Sequence, residues 1–288
     1  SEINQLRSDQ GGTVSGRLSY SNPNLQQIPA RNKEYGDKIR SLFLPEEGKQ
    51  WGSFDYSQQE PRLVAHYAAA VDNNFTGADE FIEAYKNEAA DFHQIVADMA
   101  GISRTNAKTI NLGLFYGMGK AKLAKELGIS KDAADNLLNK YHSRVPFVKK
   151  LAEAVTGSAS KYGFIRTIKG RKCRFDMWEP ATFGMNKAMQ YEEAKAIYGN
   201  NIRRAFTYKA LNRLIQGSAA DQTKQAMINC YKAGFQPLLQ IHDELCFSIN
   251  EENDIKGVKE VMENAIENLK VPFKVDVAIG KSWGEAKE

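Results

Sequence analysis

Three short segments carry side chains whose types and spacing could do chemistry. Asp55 closes an apolar run in WGSFDYS, and Glu60 follows within the next helical turn. Arg104, Lys108, Leu112 and Tyr116 recur every four residues, which puts them on one helical face with a rise of roughly 6 Å per step. Asp243 and Glu244 sit in the middle of the otherwise apolar PLLQIHDELCFSI. A strand-end carboxylate beside a second one from a distant hairpin makes a hard-cation site, because Mg²⁺ prefers oxygen ligands. A basic helix face ending in an aromatic ring would receive a triphosphate, with the ring left to stack on a base or sugar. Plainer readings exist for each segment. A strand-end Asp is commonly a turn or cap residue, Arg104 and Lys108 could be a solvated face, the HDE triplet could be a polar hairpin tip, and Phe115 and Tyr116 could be core rings.

The elements that must position these groups follow from periodicity. WGSFDYS reads as a strand ending at Asp55, followed by a helix through QQEPRLVAHYAAA. Pro61 is tolerated there because it falls in the first turn. From about Ala78 to Ala154 the pattern is almost wholly helical, including Arg104–Tyr116 and Lys131–Val155. GFIRTIKGRKCRF resembles a short hairpin, and helix is expected again from about Met185 to Ala233. PLLQIHDELCFSI reads as two strands meeting at His242-Asp243. An amphipathic helix over Ile255–Leu269 and a closing strand in FKVDVAIG complete the pattern. Strands at both ends of the chain and helices between them predict a discontinuous α+β domain with a helical insertion.

Composition excludes several classes. The 288 residues are 42% hydrophobic and 26% charged, ordinary for a globular chain and unlike a disordered or fibrous one. No apolar run approaches the ~18 residues of a membrane span, and SEINQLRSDQ is not a signal peptide, so a cytoplasmic protein without a membrane partner is expected. Cys173, Cys230 and Cys246 are odd in number and lack metal-ligand spacing. They read as reduced, small core residues. A net charge of +4 is too small to establish a nucleic-acid partner, which leaves that question to local charge.

Taken together the motifs resemble the polymerase module of the DNA polymerase I family (family A), found in bacterial repair enzymes and phage replicases. TVSGRLSYSNPNLQQIP resembles its entry motif, DYSQQEPRLVAHYA its first catalytic motif, RTNAKTINLGLFYG its nucleotide-binding helix and LLQIHDELCFSI its second catalytic motif. TIKGRKCRF, LNRLIQGSAAD and GKSWGEA match further signatures. The likeness runs in order from about Thr13 to the C-terminus. It implies a right-hand fold: a palm of antiparallel sheet and helices over 1–76 and 206–288, with helical fingers inserted over 77–205. The family's thumb and 3′–5′ exonuclease precede the entry motif, so neither is expected here. The resemblance then implies either a fragment or a separate thumb/exonuclease subunit.

Function carries over position by position. The resemblance implies a DNA-directed DNA polymerase that uses primer–template DNA and dNTPs, with Asp55 and Asp243 holding two Mg²⁺ ions (Mn²⁺ able to substitute). The Tyr56 carbonyl is an added ligand and Glu244 an auxiliary acid. Such a metal pair activates the primer 3′-hydroxyl and stabilises the leaving pyrophosphate. Arg104 and Lys108 match the clamp on the incoming triphosphate, with Lys108 also the proton donor to pyrophosphate. His93, in DFHQ, matches a further phosphate contact, and Gln58 and Leu112 line the nucleotide site. Glu60 matches the steric gate against a ribose 2′-hydroxyl, held in the family by the residue equivalent to Tyr116. Arg17, Asn212 and Gln216 match donors to the minor-groove edge of the primer terminus, where acceptors sit alike in all correct pairs. His242 is expected at the DNA as well. Lys161, Arg166, Lys169, Arg171, Lys172 and Arg174 put six cations in fourteen residues. On this motif they imply phosphate-backbone contact, through Arg171 and Lys172 above all.

Two departures stand out. Leu112 replaces the family's Phe or Tyr and cannot supply ring stacking. Gln59 and Pro61 replace aliphatic residues, and the polarity of Gln59 is expected to perturb local packing. A single-subunit RNA polymerase relative and an inactive DNA-binding subunit are the competing readings. The Glu60 gate opposes the first, and the retained Asp55, Asp243, Arg104, Lys108 and Tyr116 oppose the second.

Overall fold

A computed structural model describes the chain except residues 10, 30–33, 72–77, 87–90, 116, 117, 183, 185, 186, 287 and 288. Two compact units emerge: Ser1–Arg62 with Gly217–Glu288, and Leu63–Gln216. The first unit is therefore discontinuous in sequence.

Its centre is a four-stranded antiparallel sheet in the order Val275–Gly280, Gln50–Tyr56, Glu244–Ile249, Pro237–Ile241. Strand period 2 divides the sheet's side chains into two sets. Phe54 and Phe247 meet edge-to-face at 5.5 Å, Tyr56 and Phe273 at 6.2 Å, and the Tyr56 hydroxyl donates to the Met262 carbonyl at 2.6 Å. Val258 and Met262 of the helix Glu252–Glu263 are fully buried. The alternate positions Trp51 and Cys246 join Leu18, Tyr20, Leu239, Ile241 and Trp283 in a second cluster. Gly52 is required by packing. A Cβ there would lie 2.7 Å from Ile249 Cγ1 and 2.8 Å from the Phe54 ring.

Two buried polar groups lock this unit. Arg62 donates from Nε to the Ser57 carbonyl (2.9 Å) and from Nη1 to the Pro272 carbonyl (2.7 Å), tying the exit of one central strand to the approach of its neighbour. Gln59, contrary to the expectation of disturbed packing, is absorbed. Its Nε2 donates to the Ala219 carbonyl (3.3 Å), Gln222 Oε1 (3.1 Å) and Thr223 Oγ1 (3.1 Å). All three partners lie on the helix Ala210–Lys232.

The second unit is mainly helical. Phe92–Ala100 is capped by Asp91, whose carboxylate accepts from the His93 and Gln94 amides, and it ends at Gly101 in the left-handed conformation that glycine adopts without strain. Arg104–Phe115 buries Ala107, Ile110 and Asn111. The predicted single helix Lys131–Val155 is two helices, Lys131–Arg144 and Pro146–Tyr162. Pro146 lacks an amide hydrogen and so begins the second rather than continuing the first. Phe164–Arg166 and Lys172–Arg174 form the expected hairpin. In place of one helix from about Met185, itself outside the described residues, to Ala233, the chain forms Ala210–Lys232, preceded by the strand Ile202–Arg204, which pairs with Trp178–Pro180, and by the helix Tyr191–Tyr198. Gly199 ends that helix. Near the C-terminus the helix stops at Glu263 rather than Leu269, and Asn268 takes a positive φ of 59° in the turn that follows.

All three cysteines are buried and free. No helix among the described residues is long and apolar enough to cross a membrane.

Candidate active site

Sheet register brings the predicted acids together. Asp55, next to last in its strand, is the direct cross-strand partner of Glu244. Asp243 is one residue away in the two-residue turn between Ile241 and Glu244. On its other side Asp55 pairs with Asp276, a third carboxylate that sequence reasoning passed over. Directly opposed residues project to the same face of an antiparallel pair, so Asp276, Asp55 and Glu244 form a row across three strands. His242 opens the turn at φ 56°, a conformation costly for a residue with a Cβ. The Gln240 side-chain amide secures it by donating to the His242 carbonyl.

The acids differ in environment. Burial pushes the Asp243 carboxyl above the usual carboxylate range. Its own backbone amide, Arg17 and His242 pull it back, and Glu244 adds to the rise. One Glu244 oxygen, Oε1, accepts from the Trp283 indole (3.2 Å) and the Cys246 thiol (3.3 Å), so part of this carboxylate is committed to the sheet's apolar cluster. Tyr56 alternates with Asp55 and sends its phenol to Met262; only its backbone could serve as a ligand. Among the described residues no group of three or more His, Cys, Asp or Glu side chains converges as a self-sufficient metal site. The donor set still fits Mg²⁺, which is usually held by one or two carboxylates, with waters and substrate phosphates completing its shell.

Arg17 and Glu60 were expected to act separately and are instead joined. Arg17 Nη2 donates to Glu60 Oε1 at 2.8 Å, with the side chains 27% and 16% exposed. Arg17 also acts electrostatically on Asp243, so one guanidinium serves a carboxylate from each half of the discontinuous unit. The family's partner for Glu60, Tyr116, lies outside the described residues, as does the side chain of Leu112. Gln58 is half-buried with φ 52°, just before the helix that carries Glu60.

In the second unit Arg104 and Lys108 are exposed on one stripe of their helix, while Ala107, Ile110 and Asn111 on the adjoining side are buried. Asp91, which the sequence offered only as a neighbour of His93, holds Arg104. Arg104 Nη2 and Nε lie 2.6 and 2.8 Å from Asp91 Oδ2. Burial works to raise the Asp91 carboxyl, but Arg104 and the two capping amides outweigh it and hold it below its usual range. His93 is buried and belongs to the same cluster. Burial, Lys108 and Arg104 lower its pKa while Asp91 resists.

Asn212 and Gln216 are half-buried four residues apart on the helix Ala210–Lys232, hence on one face. On the Phe164–Arg174 hairpin Ile165 and Cys173 are buried, while Arg166, Lys172 and Arg174 are exposed. Arg166 and Lys172 lie over the Phe164 ring at 5.4 and 4.6 Å, and Arg171 is half-buried at the turn.

Strand-end carboxylates on a twisted antiparallel sheet and an exposed cationic helix face are both parts that phosphoryl-transfer chemistry uses. Comparison makes the class specific. The sequence profile of DNA polymerase family A matches residues 5–285, and the chain belongs to that family. A DNA-directed DNA polymerase of Pseudomonas phage M6 is 38% identical over 331 aligned positions, covering 99% of this chain and 46% of the phage protein. DNA polymerase I of Lactococcus lactis subsp. cremoris is 37% identical, covering 96% of this chain and 30% of its own. The POL domain of Pol1 from M. smegmatis, solved in complex with DNA primer-template and dNTP, superposes with a TM-score of 0.76 at 34% identity over 99% of this chain and 48% of that one. The chain thus spans half or less of the length of these relatives.

Proposed function

We propose that this chain is the catalytic core of a template-directed DNA polymerase, which extends a primer 3′-hydroxyl with dNTPs by nucleotidyl transfer. The observation that carries the reading is the sheet register, which sets Asp55 opposite Glu244 and beside Asp243. The unit with the sheet is assigned as palm and Leu63–Gln216 as fingers.

Asp55 and Asp243, with the Tyr56 carbonyl, would hold the divalent ions, Mg²⁺ or Mn²⁺ in its place. When bound, such ions act as Lewis acids on the phosphoryl oxygens and the attacking hydroxyl. The remaining work falls to the chain. Arg104 and Lys108 bind the triphosphate and offset the charge that grows on the leaving group, and Lys108 gives a proton to a pyrophosphate oxygen. His93 adds a phosphate contact. Glu60 occupies the space a 2′-hydroxyl would need. Arg17, Asn212 and Gln216 donate to minor-groove acceptors common to all correct pairs. The hairpin cations, Arg171 and Lys172 included, meet the phosphate backbone, a contact that weakens as salt rises. The superposition on a polymerase domain solved with primer-template and dNTP supports this set of substrates.

Primer extension tests the reading. Incorporation of dNTPs that requires a divalent metal and fails in Asp55→Ala and Asp243→Ala is the expected result. Near-normal turnover by either variant rejects the assignment, and preferential use of NTPs would move the chain to RNA synthesis.

A further inference from the structure

A buried polar chain links three helices of the second unit. Asn111 is 0% exposed. Its Oδ1 accepts from the Tyr141 hydroxyl at 2.6 Å, and its Nδ2 lies 3.1 Å from His93 Nδ1. His93 belongs to Phe92–Ala100, Asn111 to Arg104–Phe115 and Tyr141 to Lys131–Arg144. The direction of these bonds follows from donor counting. Tyr141 is wholly buried and burial drives its pKa up, so its proton stays on and is given to the amide oxygen. The amide nitrogen can only donate, so His93 Nδ1 must accept. The single ring proton of His93 is therefore on Nε2. Protonating Nδ1 would set two N–H groups against each other. The groups facing His93 act mostly in the same sense: Arg104 and Lys108 on the next helix oppose a positive ring, with Asp91 alone favouring one.

We infer that Asn111, locked by Tyr141, is a positioning residue that fixes His93 as a neutral Nε2–H donor for a phosphate oxygen of the incoming nucleotide. This rests on the reading of His93, Arg104 and Lys108 as triphosphate ligands. A neutral donor suits a cluster that already holds two cations. It adds a directed hydrogen bond without adding charge repulsion, and the amide donor on Nδ1 keeps the ring proton from shifting there, which would leave Nε2 facing the phosphate with a lone pair.

The tautomer is measurable directly. In ¹⁵N-labelled protein, with His93 assigned by the loss of its signals in His93→Gln, long-range proton–nitrogen correlations should show a bare Nδ1 and a protonated Nε2. Asn111→Asp keeps the shape but replaces the donor with an acceptor, and should move the proton to Nδ1 and raise the His93 titration midpoint. If Asn111→Asp fails to fold, Tyr141→Phe serves instead, since freeing the amide should mix the two tautomers. A protonated Nδ1 in the unmodified protein, or a spectrum unmoved by the variant that folds, overturns the inference.

Affinity supplies the second arm, with inorganic triphosphate as probe in titration calorimetry. Asn111→Leu, neutral and similar in size, should weaken binding about tenfold, as for one lost hydrogen bond to a charged oxygen. Lys108→Ala should weaken it as well. If Lys108→Ala binds normally, the triphosphate reading of the helix fails and the inference fails with it. If Lys108→Ala loses affinity while Asn111→Leu does not, the inference alone fails.

Discussion

Replacing Arg17 and Glu60 singly and together tests whether the guanidinium holds the proposed gate carboxylate in place. The pair is a single charge-assisted hydrogen bond of 2.8 Å between side chains less than a third exposed. Hydrogen bonds to charged groups contribute about 1.5–3 kcal/mol, and the partial exposure puts the coupling expected here at about 1–2 kcal/mol. Arg17→Met and Glu60→Gln should each destabilise the sheet unit, with the double variant less unstable than their sum. Urea unfolding followed by tryptophan fluorescence in a Trp178→Phe background isolates the signal, because Trp51 and Trp283 both lie in the sheet's buried cluster. The same cycle read on kcat/KM for a dNTP against the matching NTP should show the sugar preference falling in both single variants. A coupling of 1.4 kcal/mol there is about tenfold in the ratio. Additivity within about 0.5 kcal/mol in both measurements would mean that Arg17 does not hold Glu60 in solution, and the joint role would be abandoned.

Further outcomes are expected from the same geometry. Asp91→Ala removes both a helix cap and the partner of Arg104, and should cost about 1 kcal/mol of stability together with a rise in KM for dNTPs; an unchanged KM would separate Asp91 from the nucleotide site. Because the Asp91 carboxyl is held below its usual range in the fold, its contribution is complete above the unfolded carboxylate pKa and is lost as pH falls through the lower folded value. With Arg104 half exposed that contribution is under about 1 kcal/mol, and the acid limb of the stability curve should flatten in the Ala variant. Gly52→Ala should destabilise by about 1–3 kcal/mol, since its Cβ would press on Ile249 and Phe54; a thermal melt matching the unmodified protein would contradict that packing. Gln59→Leu should couple to Gln222→Leu by about 1 kcal/mol or more in a double-mutant cycle, because each single change strips the other buried amide of a partner.

The four-stranded sheet was legible because its signals are local. Alternation around Phe54 and Asp55, and a polar pair interrupting an apolar run at His242-Asp243, set strand period and turn position within a few residues. The helix boundaries were less so. Pro146 was present to be read as a first-turn residue, yet the apolar pattern runs across it and suggested one helix. Ile202–Arg204 is too short for periodicity to register, and its pairing with Trp178–Pro180 is a tertiary event. Buried polar groups were the hardest to see. Asn111 and Tyr141 sit at positions where a sequence cannot distinguish a solvated side chain from one satisfied by a distant helix, and Gln59 was misjudged for the same reason. Arg17 and Glu60 were each singled out, but their pairing across 43 positions leaves no mark in either neighbourhood.

The alternation that aligns Asp55 with Glu244 also dictates how such a gene can tolerate insertions and deletions. Stretches between the strands can lengthen or shrink while the acids stay in place, because the ladder alone sets who faces whom. One codon gained or lost between Gln50 and Asp55 would rotate Asp55 to the side where Phe54 packs, and the resulting protein could still pair its strands while presenting the ring of Phe54 or Tyr56 where the carboxylate belongs.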